Sequence, residues 1–455
     1  MNYHCGFMIR FLQISDIHFS NQAGCDDDYA QMKSKFLEDI AKCHKEKGNI
    51  DYVLICGDIA FAGTESQYTE ARDFIDDICT SIEFSGDNGE NVFMVPGNHD
   101  KKRIVYTRTR SLLREPLLKK DAVKKLLSSK VKEPMAVGIL YAPFKQYYKM
   151  AADYTSISDI ARKSAVFPES DQETGSVPKF EPGDELFWSE LIGYLKGIPV
   201  TLHGSNTSLL SDEDDGESMS LIAGKQHLQV LPMQAYNVTT KENEIHILML
   251  HHPMSEIIDG DRIEKDIDGR FQLQFYGHMH KQSSLCNNAV KIYSGALQPP
   301  ETDEMDEDNE YFPVYNIIEL EVEDEGGKPC LKVDVFSRKW DGVKFDEYEE
   351  ETKTEKDALR VLLPDNDSWK KTMERIRNGE SASDGHDKET ETVYPHIVKR
   401  AFLHSDKQTK IIKEMYGDAF ESISPNRNKY LTFLKRVEDD GRIKELNDIL
   451  KRYGK

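Results

Sequence analysis

Apolar and polar positions along this chain follow two rhythms, and the changes between them mark its elements. Residues 8–16 (MIRFLQISD) form an apolar run that predicts a buried strand ending in a polar loop. Tyr29, Met32, Phe36, Ile40 and Cys43 then recur at helical spacing. Tyr52 to Cys56 is a second apolar run, closed by a loop that begins Gly57-Asp58. A helical stretch over 65–83 follows, and Asn91 to Val95 is a third strand ending at Pro96-Gly97-Asn98-His99. Strand, helix, strand, helix, strand predicts an α/β fold, and continuous apolar strands suit a sheet covered on both faces. In such sheets ligands gather at the carboxyl ends of the strands, where each of these polar loops lies.

Residues 104–195 read differently: long, largely helical and rich in Lys, Tyr and Leu, they predict an insertion or cap. Strand signals resume at Ile198 to Leu202. An acidic loop over 212–217 and a short helix over 226–231 precede five more strands. Those strands lie at 246–250, 271–276, 290–293, 315–322 and 331–336, the last two flanking a hairpin turn at Glu323 to Gly327. Residues 346–392 are charged and poor in apolar positions, with 380–392 (ESASDGHDKETET) the least core-like part, and predict a linker. Helical periodicity returns over 393–455, where 14 Lys/Arg stand against 9 Asp/Glu, and predicts a small separate helical domain. The expected organisation is therefore an α/β unit over 1–345, a linker over 346–392 and helices over 393–455.

A length of 455 residues implies two to three folding units, and a net charge of -22 repels extended nucleic acid and membrane surfaces at long range. Bound divalent ions would invert that field locally, so an anionic substrate is compatible with it. Seven scattered cysteines without a C-x-x-C pair predict reduced thiols in an intracellular protein. The first residues lack the apolar core of a signal peptide, and no apolar run approaches the roughly 18 residues needed to span a bilayer. The expected address is cytoplasmic, with no membrane partner.

Five short patterns carry the candidate chemistry: Asp16-Ile-His18, Gly57-Asp58, Gly97-Asn98-His99-Asp100, His251-His252-Pro253 and Gly277-His278-Met279-His280. Carboxylate, imidazole and amide oxygens suit divalent ions such as Mn, Fe, Zn or Ni. Alternate residues on an extended strand end point the same way, so D-x-H and H-x-H can each direct two donors at one ion. Glycine before Asp58, Asn98 and His278 predicts sharp backbone turns beside the ions. An aspartate can bridge two metals roughly 3.5–4 Å apart, the spacing that activates water for in-line attack on phosphorus. Any one pattern alone is weak, since a lone D-x-H is more often an ordinary loop; five in order at strand ends point to a metal site.

Taken together, ISDIH, GDIAFAG, VPGNHD, LHHP and YGHMH resemble the signature blocks of the calcineurin-like metallophosphoesterases over about residues 8–340, apart from much of the insertion. The resemblance implies an α/β fold of two mixed sheets sandwiched between helices, with 1–345 as the catalytic domain. It implies two divalent ions: one held by Asp16, His18 and His280, the other by Asn98, His251 and His278, with Asp58 bridging them. His251 rather than His252 is the implied ligand, because the family pattern is His-x-Pro. His99 is implied to stabilise the phosphoryl transition state or protonate the leaving oxygen. Asp100 is expected either to orient His99 or to cap a following helix. Arg103 and His252 are candidate substrate-binding residues; for Arg103 the alternative is a solvated basic turn.

The resemblance further implies hydrolysis of a phosphodiester by a hydroxide bridging the two ions. A nucleotide or cyclic nucleotide is the expected substrate, and single-stranded DNA or RNA cleavage is the alternative. The early blocks also resemble phosphoesterase modules of bacterial conflict and defence proteins. Tyr141, Phe144, Tyr147 and Tyr148 of the cap could stack a base or simply pack in the core. Residues 397–455 weakly resemble death-like effector-associated adaptor domains, which implies a protein partner through 393–455; a plain helical appendage is the other reading.

Overall fold

The structure is a computed structural model describing residues 4–6, 8–19, 26–84, 91–102, 142–151, 154, 187–196, 198–211, 244–257, 260–298, 312–348, 358–363, 370–371, 374, 377–378, 408–416, 433, 436–437 and 442–453. Strand β2 (Met8–Ile14) pairs in parallel with β3 (Tyr52–Ile55), and β3 pairs in parallel with β4 (Val92–Met94). Every residue of β3 and β4 is buried, as their unbroken apolar runs require. Helices α1 (Asp26–Lys47) and α2 (Glu65–Ser81) lie on the same core: Phe36 meets Phe74 at 5.7 Å and Tyr315 edge-on at 5.0 Å. Gln67 accepts the Thr64 N–H at 3.2 Å, half of a capping box that starts α2.

On its other edge β2 pairs antiparallel with β11 (Val314–Glu325), which pairs with β12 (Lys328–Trp340). The β11–β12 loop is Gly326-Gly327, both at positive φ (62° and 93°), as a tight right-twisting hairpin demands. Strands β13 (Phe345–Glu347) and β14 (Leu359–Leu362) both add to β12. The second sheet runs in the order β1 (His4–Gly6), β5 (Phe187–Leu195), β6 (Ile198–Ser205), β7 (Ile245–Met249), β8 (Leu273–Tyr276), β10 (Val290–Tyr293), β9 (Ser283–Cys286). Both sheets are mixed and hold seven strands each.

The two sheets share one core. Phe11 of β2 meets Phe275 of β8 at 5.8 Å, Phe93 of β4 stacks on Trp188 of β5 at 5.7 Å, and the Tyr52 hydroxyl donates to the Ile192 carbonyl. This is the sandwich expected from the sequence, with helices on its flanks. Helix α3 (Lys145–Ala151) packs against α2 through Tyr147 and Tyr68 (6.4 Å), and α4 (Gly260–Asp268) buries Ile263 and Ile267 beside Phe271. No helix among the described residues is long and apolar enough to cross a membrane.

Parts of the expected organisation come out differently. Residues 187–195, read as the end of a helical cap, form β5, because Trp188, Leu191, Ile192 and Leu195 supply a sheet-facing apolar set. The stretch 346–392, expected as a linker, contributes β14, whose Val361 is buried against β12. The chain divides into one compact unit over His4–Arg377 and another of Met1–Tyr3 with Asn378–Lys455. Phe144, Tyr147 and Tyr148 are buried, so these cap aromatics pack in the core rather than offering faces to a base. Tyr141, the helix read at 226–231, the acidic runs at 212–217 and 303–310, and the stretch 380–392 lie outside the described residues.

In the second unit α5 (Gln408–Tyr416) and α6 (Ile443–Tyr453) bury Ile411, Ile412, Met415, Phe433, Val437, Leu446 and Ile449 together. Arg442 donates to the Met415 carbonyl near the end of α5 at 2.9 Å, as a cation at a helix C-terminus should.

Candidate metal centre

Strands β2, β3 and β4 of one sheet and β7 and β8 of the other end side by side, and each passes into one of the five motif loops. Among the described non-glycine residues only seven have positive φ, and five of these are Asp16 (53°), His18 (50°), Asp58 (51°), His278 (68°) and His280 (52°). The left-handed region costs an L-residue roughly 1 kcal/mol or more, so this clustering marks loops shaped for the donors they carry. The loops brace one another: Asp16 N–H donates to the Gly57 carbonyl (3.0 Å), His18 N–H to the Asp58 carbonyl (3.0 Å) and Gly277 N–H to the His251 carbonyl (3.0 Å).

The donors converge. Asp16 Oδ1 lies 3.3 Å from His280 Nε2 and 3.9 Å from His18 Nε2. His251 Nε2 lies 3.2 Å from Asp58 Oδ2 and 3.0 Å from Asn98 Oδ1. Four groups have donor atoms all within 4.8 Å of one another: Asp16, His18 and His280; His18, Asp58 and His99; Asp16, Asp58 and His251; and His251, His252 and His278. Asp58 belongs to two of these groups, between the histidines of one sheet and those of the other.

The pocket suits cations by its chemistry as well as its shape. Both ring nitrogens of His18 are buried without a hydrogen-bond partner, an arrangement costly to a fold unless an ion fills it. Burial pushes the His18 imidazole down to about 4, which keeps it neutral and able to donate a lone pair. Burial would raise the Asp58 carboxyl, but the charge and hydrogen bond of His251 outweigh it and hold Asp58 well below the usual range. Burial likewise works against the His251 cation, yet Asp58 lifts its pKa to about 10. A buried, pre-ionised carboxylate among imidazoles is what a divalent ion needs.

Glycine serves the site in two ways. Gly57 has φ 97°, so the turn needs it. Gly97 and Gly277 do not turn at positive φ; they allow close approach. A Cβ on Gly97 would stand 2.1 Å from Asp58 Oδ1, and one on Gly277 2.2 Å from Ser15 Oγ. The expected sharp turns at these two positions are thus replaced by backbone packed directly on the donors.

Asp100 makes contacts that neither expectation named. Its carboxylate accepts from the N–H groups of Ala60 (2.9 Å), Gly97 (2.9 Å) and Ile59 (3.1 Å) and from the Tyr68 hydroxyl (2.9 Å). It is a clasp between the β3 and β4 loops, because buried backbone N–H groups there need an acceptor. The His99 ring is held elsewhere: Nδ1 lies 3.0 Å from the Phe61 carbonyl, and its backbone N–H donates to Asp58 Oδ1 at 2.7 Å.

His252 is fully buried beside His251 and His278 (ring centroids 4.7 and 4.6 Å). Its backbone N–H donates to Thr207 Oγ1 (3.3 Å), and the same hydroxyl lies 2.8 Å from Nδ1 of the ring. The other ring nitrogen, Nε2, is buried and has no hydrogen-bond partner. Thr207 sits in a buried polar stretch, Ser205 to Ser208, after β6. The sequence reading missed it; its signal was the polar run S-N-T-S directly after a strand. Arg103 lies outside the described residues.

A family model described as calcineurin-like phosphoesterase matches residues 9–282, which contain all seven donors. An uncharacterized metallophosphoesterase-like protein of Bacillus subtilis (strain 168), YydB, is 27% identical over 298 residues, covering 64% of this chain and 53% of that protein. The chain thus spans about half the length of this curated relative. Among solved structures, GAP50, the anchor in the inner membrane complex of Plasmodium, is similar at 10% identity and a TM-score of 0.40, covering 82% of this chain and 95% of that one. A conserved uncharacterized protein and predicted phosphoesterase from Streptococcus pneumoniae TIGR4 is similar at 10% identity and a TM-score of 0.24, covering 75% and 98%. Neither score carries an argument. The family match covers more than half of the chain and all five motif loops, and the chain belongs to the calcineurin-like phosphoesterase family of metal-dependent hydrolases.

Proposed function

We propose that this centre hydrolyses a phosphodiester, with a nucleotide or cyclic nucleotide as the substrate class. The observation that carries the reading is the convergence of Asp16, His18, Asp58, Asn98, His251, His278 and His280 on loops strained into place. Asp16, His18 and His280 would hold one divalent ion, Asn98, His251 and His278 another, with Asp58 shared between them. Two such ions, Mn, Fe, Zn or Ni by donor type, would supply an activated water and neutralise charge at phosphorus.

The chain's own residues complete the chemistry. His99, anchored by the Phe61 carbonyl at Nδ1, would hand a proton from Nε2 to the leaving oxygen. His252, with Nδ1 against the Thr207 hydroxyl, would present Nε2 to a phosphoryl oxygen. Arg103 is a further candidate for the substrate's charge.

The net charge of -22 argues against a long duplex footprint, which would need a basic track. Short single-stranded DNA or RNA is the alternative substrate. A panel of cyclic nucleotides, dinucleotides, single-stranded polymers and aryl esters tests the reading. Turnover of cyclic nucleotides without polymer cleavage supports it, and polymer degradation reverses the order.

A second reading concerns the C-terminal helices. Their separate apolar core supports an adaptor, similar in kind to the death-like domains of bacterial defence systems, that recruits the phosphoesterase to a protein partner. Deleting 393–455 should then abolish partner capture and leave small-ester turnover intact.

A further inference from the structure

We infer that Glu256 is a positioning residue of the metal centre, holding His278 by Nε2 so that Nδ1 is the nitrogen offered to an ion. The inference rests on the metal-centre reading above. Glu256 Oε2 lies 3.0 Å from His278 Nε2. The neighbouring imidazoles follow the same plan: Cys56 carbonyl stands 2.8 Å from His251 Nδ1 and Thr207 Oγ1 2.8 Å from His252 Nδ1. Each ring has one nitrogen engaged from outside, which fixes its orientation and directs the other inward.

Glu256 stands at His278 rather than among the clustered donor atoms. It belongs to none of the groups whose donor atoms lie within 4.8 Å of one another, although His278 belongs to one of them. The short 3-10 turn that carries it, Met254–Glu256, is closed by backbone hydrogen bonds. Glu256 N–H donates to the Pro253 carbonyl (3.0 Å) and Ile257 N–H to the Met254 carbonyl (3.2 Å). Met254 and Ile257 are buried on either side of it, and a Cβ on Gly260 would stand 1.7 Å from the Met254 carbonyl oxygen. A turn locked at both ends presents its carboxylate in one place.

Charge decides what the contact is for. The two side chains are 27% and 32% exposed, so as an ion pair they add little to folding. As an outer partner of a ligand, a carboxylate raises the basicity of the imidazole, and loss of such partners lowers metal affinity about 10- to 100-fold.

Cobalt(II) titration of the full chain, read by calorimetry and by the visible spectrum, tests this with wild type, Glu256→Gln and His278→Ala. In Glu256→Gln one binding event should weaken about 10- to 100-fold. It should be the event that His278→Ala loses, while the other event, the saturated spectrum and the melting temperature of the metal-free protein stay as in wild type. Wild-type affinity in Glu256→Gln would overturn the inference alone. So would a changed spectrum at saturation, which would make Glu256 a direct ligand. Absence of cobalt binding by the wild type would remove the metal-centre reading as well.

Discussion

The backbone carbonyl of Cys56 lies 2.8 Å from Nδ1 of His251, joining the end of β3 in one sheet to the end of β7 in the other. Through this bond a peptide group of the first sheet selects which nitrogen of a second-sheet histidine faces Asp58 and Asn98. The centre is therefore assembled across the sandwich, and its parts depend on one another.

Asp58 is the group on which that dependence turns. Asp58→Ala should abolish hydrolysis of an aryl phosphodiester, as should chelation, which added divalent metal should reverse in the wild type alone. Full activity in the variant would sink the assignment.

Gly97 has no room for a side chain, because a Cβ there would stand 2.1 Å from Asp58 Oδ1. Gly97→Ala should lower metal affinity by at least about tenfold, since the carboxylate or its loop must move. Gly342, with φ 97° and nothing within 4 Å, is the control: its alanine variant should cost only about 1 kcal/mol of stability and leave metal binding unchanged. Equal metal affinities in both variants, measured by calorimetry, would remove the argument from close approach.

Asp100 clasps two loops, so Asp100→Asn places an amide against backbone N–H donors. We expect a loss of about 2–4 kcal/mol in urea unfolding, together with weaker metal binding. An orienting role toward His99 alone would instead lower turnover while leaving stability as it was.

Thr207 holds the His252 ring at Nδ1. Thr207→Val should reduce kcat/KM about tenfold, the effect of roughly 1.4 kcal/mol of lost transition-state bonding, with metal occupancy unchanged. An unaltered kcat/KM would exclude His252 as a donor to substrate.

His203 offers a test away from the metals. Burial, helped by His246 at 3.0 Å, pushes its pKa from the ordinary 6.5 down to about 3. The unfolded chain therefore binds a proton that the folded chain refuses between these values. The neutral ring's contribution is fully present above pH 6.5 and is lost as pH falls toward 3. Relative to His203→Gln, the wild type should lose about 1.4 kcal/mol of stability per pH unit over that window. Parallel stability curves for the two proteins would refute it.

The strands that lead into the donor loops were legible because their residues are mostly apolar: Tyr52–Ile55 and Ile245–Met249 are buried throughout, and such runs have few alternatives to a covered sheet. Strand β9 (Ser283–Cys286) was not legible, since an edge strand half open to water need not be apolar. Strand β5 was hidden by a helix-like composition that pairing with β1 and β6 overrides. The cap aromatics could be read two ways until packing buried Phe144, Tyr147 and Tyr148.

The sequence by itself determined the α/β order, the donor types and their placement at strand ends, because periodicity and coordination chemistry are local properties. Only the tertiary structure decided what surrounds the donors: the clasp of Asp100, the Phe61 carbonyl on His99, Thr207 behind His252 and Glu256 behind His278. These partners come from distant points of the chain: Phe61 lies 38 residues from His99, Ala60 40 from Asp100 and Thr207 45 from His252. Backbone carbonyls and hydroxyls leave no motif, and their roles exist only once the two sheets have packed.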